Sequence, residues 1–145
     1  MTTRYERLTD YSVESINRFG AGRLPGHLGI DITAVSPERV SCRTPIQDHL
    51  LAPNGYLHAG SVVTIADTAV GYGCIVNLPD GATGFTTIEL KSNFLGTTRS
   101  GAVLCEATPV HRGTSTQVWD AVVTDKATGK TIALFRCTQM ILWPR

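Results

Sequence analysis

Between Ala59 and Pro79 the only charged side chain is Asp67. The run Ala59–Val76 is otherwise small and apolar, it follows a turn-forming Asn54-Gly55, and it gives roughly five turns of helix. A carboxylate in the middle of such a helix loses hydration. At the helical spacings i±3 and i±4 it meets Val63, Thr64, Val70 and Gly71, none of which pairs with it. A chain that keeps an unpaired acid inside its most apolar helix uses that acid, either chemically or to cap a neighbouring loop.

The rest of the composition bounds the setting. A chain of 145 residues makes one domain with a substantial core. A net charge of +1 without basic clusters gives no nucleic-acid surface. With 17% charged residues there is room for a buried interface between copies. The charged start Met1–Arg7 has no apolar stretch behind it, so neither a leader nor a membrane span is expected. Cys42, Cys74, Cys105 and Cys137 form no CxxC pair, and His27, His49 and His111 are scattered. No metal site is expected, and the cysteines read as reduced core residues of a cytoplasmic protein.

Apolar spacing predicts an amphipathic helix from Arg4 to Phe19 stopped at Gly20, then a connector over Gly20–Gly26. Alternation predicts strands at His27–Val35 and Arg39–Ile46, forming a hairpin, with a loop from Gln47 to Leu57 before the central helix. Four strands follow, at Phe85–Leu95, Ala102–His111, Ser115–Thr124 and Thr131–Leu142; their short links favour antiparallel hairpins. The order predicts an α+β domain in which one antiparallel sheet curls around one helix. Ala59, Gly60, Ala66, Ala69, Gly71 and Gly73 would let the sheet approach that helix closely.

The run Gly55-Tyr56-Leu57-His58-Ala59-Gly60, with Asp67 eight residues after Ala59, resembles the loop and helical acid of hotdog-fold acyl-CoA thioesterases. The likeness is to their phenylacetate-degradation (PaaI-type) and 4-hydroxybenzoyl-CoA thioesterase group. It extends from about His27 to the C-terminus, including Thr86–Leu95 and His111–Asp120. Two departures stand out: Ala59-Gly60 replaces the usual Gly-Gly, and Ala52 occupies a position where relatives often carry Asn or Gln. The resemblance implies a hotdog fold and hydrolysis of an acyl-CoA. It implies a homodimer as the catalytic unit, assembled further as a homotetramer, with no cofactor beyond the coenzyme A of the substrate.

Thioester hydrolysis passes through a tetrahedral oxyanion, which calls for hydrogen-bond donors and for a base or nucleophile. Ala59, in the first helical turn, offers a backbone N–H without an intrahelical partner, where the helix dipole favours negative charge. Asp67 supplies the carboxylate, as nucleophile or general base, and burial raises its pKa. His58 either satisfies loop backbone or orients the thioester, and Gly60, in the same turn, is a further catalytic candidate. Thr86 and Thr87, at the start of a strand facing the helix, are implied water-holding hydroxyls. Thr68 and Tyr72 would line an aryl or medium-chain acyl pocket, with Asn54 a further substrate contact. For the nucleotide end the resemblance implies Arg99, Arg112, the turn Gly113-Thr114-Ser115 and the terminal Arg145.

Eight residues of helix separate Ala59 from Asp67 by about 12 Å, whereas reacting groups must lie within about 3–3.5 Å. The active site is therefore expected to combine Ala59 of one protomer with Asp67 of another. Two alternatives stay open. Ala52 leaves room for a non-catalytic acyl-CoA binding protein that has kept the fold. A hotdog dehydratase would need a catalytic histidine paired with an acid, whereas His58 belongs to a thioesterase-type loop.

Overall fold

The computed structural model describes residue 8 and residues 10–145. A first helix, α1 (Val13–Gly20), is capped by the Ser12 hydroxyl, which accepts the Ser15 N–H. A single helical turn, α2 (Leu24–His27), leads to β1 (Asp31–Ser36) and β2 (Arg39–Pro45). A 3₁₀ turn at Asp48–Leu50 precedes the central helix α3 (Ala59–Val76). Then come β3 (Gly84–Phe94), β4 (Ala102–Arg112), β5 (Thr116–Asp125) and β6 (Thr131–Leu142). The six strands form one antiparallel sheet in the order β1-β2-β4-β5-β6-β3, packed around α3: the hotdog fold.

Alternation decides which strand face meets the helix. Trp119, Ala121 and Val123 of β5 and Ala133, Phe135 and Cys137 of β6 are buried with Ile65, Ala66, Ala69 and Val70 of α3. By length and composition α3 could cross a bilayer, but here its apolar face is the core under the sheet. All four cysteines are free and buried.

Four expectations change. Part of the expected first helix lies outside the described residues; the described part begins only at Val13, because Ser12 caps it there. The expected strand from His27 starts at Asp31, since Leu24–His27 is helical and Gly29 takes φ +73°. The expected loop from Gln47 contains a 3₁₀ turn. Finally, β3 and β4 do not form a hairpin. β3 pairs with β6, while β4 lies between β2 and β5. Their short link crosses the end of the sheet instead: Thr98 O accepts the Leu57 N–H and Gly101 O the Ile46 N–H, so β3 is carried to the far edge.

Close approach explains one glycine. A Cβ at Gly73 would lie 2.6 Å from two ring carbons of Trp119, which is fully buried and whose Nε1–H donates to Gln117 Oε1 at 2.8 Å. Alanine in an exposed helix gains about 1 kcal/mol over glycine. Gly73→Ala is expected to reverse that sign and cost about 1–3 kcal/mol by overpacking, read as a lower Tm in thermal unfolding.

Candidate active site

The start of α3 is built by His58. Its backbone is extended (φ −66°, ψ 137°) and its Nδ1 accepts the Gly60 N–H at 2.7 Å. That bond fixes the neutral ring as the Nε2–H tautomer, with its donor directed away from the helix. It also removes Gly60 from the set of free amides and requires glycine there, since a Cβ would come 2.9 Å from Nδ1. Ala59, at the first helical position, has no intrahelical acceptor for its N–H, and no positive φ occurs outside glycine among the described residues. Alanine therefore replaces glycine at position 59 without strain. Leu50 O anchors the turn by accepting from the His58 N–H at 3.0 Å and the Ser61 hydroxyl at 2.8 Å.

Asp67 lies two turns on, in a cleft of about 640 Å³ shared with Thr68, Tyr72, Phe85 and Thr87. Such a volume suits a small-molecule ligand. The segment Arg18–Pro25 also lines the cleft, with Phe19 and Arg23 among its contributions. Among the described residues the Asp67 Oδ1 is buried with no hydrogen-bond partner, and desolvation raises the carboxyl pKa. Burial, and then the nearby Asp67 charge, pushes the Cys137 thiol up to about 12, so that thiol stays protonated and is a weak nucleophile.

The arrangement sorts the sequence candidates. Asp67, Thr68, Tyr72 and Thr87 share one cleft. Thr86 does not line it, because neighbours on a strand point to opposite faces. His58 and Gly60 line a second cleft with His27, His49 and Thr64. One chain thus holds the acid and the helix N-terminus in separate clefts. Asn54 serves its own turn, its Oδ1 accepting the Tyr56 N–H at 3.2 Å. The Arg99 guanidinium stacks 4.1 Å from the centre of the Tyr56 ring, near the start of α3. Arg112 lies by the other end of α3, where it pairs with Glu38 at 2.8 Å and donates to Asn77 Oδ1 at 3.2 Å. In the turn beyond it Gly113 N–H bonds Thr116 O, and Thr114 O accepts from Trp143 Nε1. Ser115 and Arg145 are exposed. Arg99 and the Arg112 turn therefore do not converge within a protomer.

Two residues escaped the sequence reading. Gln117 and Gln139 are fully buried and stand opposite each other on β5 and β6, with Thr87 next in the same row on β3. Alternation marks both as helix-facing, a signal available in the sequence but masked by their polarity. Among the described residues no three His, Cys, Asp or Glu side chains converge on a metal position.

Residues 54–132 match the family model described as the thioesterase superfamily. The chain is 32% identical over 111 residues to a 1,4-dihydroxy-2-naphthoyl-CoA hydrolase of Listeria monocytogenes, covering 77% of this chain and 89% of that protein. A crystal structure of a Haemophilus influenzae thioesterase is similar with a TM-score of 0.84 and 28% identity, over 92% of both chains. A variant of a Pseudomonas aeruginosa thioesterase gives a TM-score of 0.86 and 26% identity, over 94% of this chain and 96% of that one.

Proposed function

The chain belongs to the thioesterase superfamily and is a thioester hydrolase, and from that premise we propose that it cleaves an acyl-CoA at a site shared between two protomers. The separation of the acid from the helix N-terminus carries this reading. The Asp67 cleft holds the carboxylate without the free amide of the helix N-terminus, and the cleft at the start of α3, lined by His58 and Gly60, holds no carboxylate. A two-fold dimer joins them twice.

In this reading the thioester carbonyl oxygen accepts from Ala59 N–H, oriented by His58, and Asp67 of the partner subunit acts on the carbonyl carbon. As a base, Asp67 takes a proton from water while the water oxygen bonds to carbon; the C–S bond then breaks, and the sulfur leaves as coenzyme A thiol after protonation. As a nucleophile, it forms an anhydride that water opens. Both routes give the free acid and coenzyme A. Arg99, Arg112, Gly113, Thr114, Ser115 and Arg145 remain candidates for the phosphates, drawn from different protomers. The aromatic lining of Phe19, Tyr72 and Phe85 suits an aryl or medium-chain acyl group.

The edge strand β3 supports self-association. It is 11 residues long and displays Ile88 at 54% and Phe94 at 46% exposure, a surface that favours pairing with a second copy. The test is thiol release across benzoyl-, phenylacetyl-, octanoyl- and acetyl-CoA, with specific activity followed on dilution. Saturable release that falls as the dimer dissociates is expected. Binding of acyl-CoA without release for any of them would replace the enzyme by the binding protein, and a fully active monomer would refute the shared site.

A further inference from the structure

We propose that Gln139 is a positioning residue that fixes the hydrogen-bond polarity of Thr87, making the Thr87 hydroxyl an acceptor for the attacking water. The inference rests on the reading of Asp67 as the acid of the hydrolysis and names the part of the molecule that aims water at it. Thr87 Oγ1 donates its one proton to Gln139 Oε1 at 2.9 Å. With the proton committed there, Thr87 faces the Asp67 cleft with lone pairs only. It is then unable to donate to a thioester oxygen, but it suits a water O–H. A water between Thr87 and Asp67 gives one proton to each acceptor, which leaves its oxygen lone pair free for the carbonyl carbon. Asp67 takes its proton as the C–O bond forms; the C–S bond breaks, and the leaving sulfur is protonated.

Two further observations single out this pair. Thr87 is exposed in the cleft, while Gln139 behind it is fully buried, and the Gln139 Nε2 has no partner among the described residues. A buried amide N–H without an acceptor has given up its bond to water for nothing and destabilises the fold. A glutamine kept purely for stability would not stand there, since an apolar residue of the same shape would hold the fold better. In addition, the register of β3 against β6 shifts immediately after Thr87, between the pairs Thr87–Gln139 and Glu89–Thr138. Such bulges re-aim a side chain beside active sites.

The opposed directions of stability and activity make the test. Gln139→Met keeps the shape and removes both the acceptor and the orphan donor. It is expected to leave Tm unchanged or higher, to lower kcat about tenfold and to hold KM within about twofold. Thr87→Val, at an exposed position, should lower kcat similarly, Thr87→Ser should retain activity, and the double variant should be no slower than either single one. Native activity in Gln139→Met or in Thr87→Val overturns the proposal. So does a Gln139→Met variant whose Tm falls together with its activity, with additive loss in the double variant. Asp67→Asn runs alongside: undiminished release in that variant removes the acid reading itself, whereas loss there with no loss in Gln139→Met rejects only the role given to Gln139.

Discussion

Asp67→Asn is expected to lower kcat for thiol release by about 10²–10⁴-fold while raising Tm. The two effects share one cause. The carboxyl sits where it has lost water and gained no donor, so its pKa is raised and its ionised form is disfavoured in the folded state. For a group with a raised folded-state pKa, the stabilising contribution is present below the unfolded value of about 3.9. It disappears as pH climbs through the folded-state value. At pH 7 the native protein therefore holds a charge that opposes folding, and asparagine relieves it. The Tm difference between native and variant should shrink as pH is lowered towards 4, when the native acid is protonated too. Activity should show the complementary limb, rising with pH through an apparent pKa above the ordinary aspartate range. Thermal scans and pH–rate profiles of both proteins check this. Equal activity in the variant, or a Tm that falls, contradicts it.

Ala59→Pro should lower kcat about 10²–10³-fold with the fold intact, the loss expected for one oxyanion donor. Proline deletes the N–H and is well accommodated at the first position of a helix. The preceding His58 already has the extended ψ of 137° that a following proline favours. No side chain at this position removes the donor so cleanly. The variant also tests where the site lies. Co-expressed in equal amounts with Asp67→Asn, it should form mixed dimers in half of the assemblies. Each mixed dimer has one site of two intact, so about one quarter of native activity returns. Differently tagged chains, purified in tandem, measure this directly. Mixed dimers without recovered activity would place donor and acid in the same chain.

How much of this could be read in advance follows from what each residue's signal depends on. The central helix and Asp67 were legible because they rest on local periodicity and on one charge in an apolar run. The separation of Ala59 from Asp67 needed only the rise of a helix. The edge position of β3 was not legible. A six-residue link looks like a hairpin turn, and only the bonds from Thr98 and Gly101 to residues around 46–57 show that it crosses over. Thr86 and Thr87 are indistinguishable in sequence; pairing decides that Thr87 meets Gln139. Gln139 itself reads as an ordinary polar residue until its burial is known. Arg112 reads as a phosphate candidate in its turn, but Glu38, far away in sequence, holds it.

The segment Arg18–Pro25 has an evolutionary consequence. It lines the cleft that holds Asp67, yet Arg18, Phe19 and Arg23 are exposed and carry little of the core. Exchanges at such surface positions usually change stability by no more than about 0.5 kcal/mol. That part of the cleft can therefore drift from one descendant to the next while Asp67, held on the central helix, stays as it is. Part of the cleft's shape is thus inherited on a different piece of the polypeptide from the acid it faces.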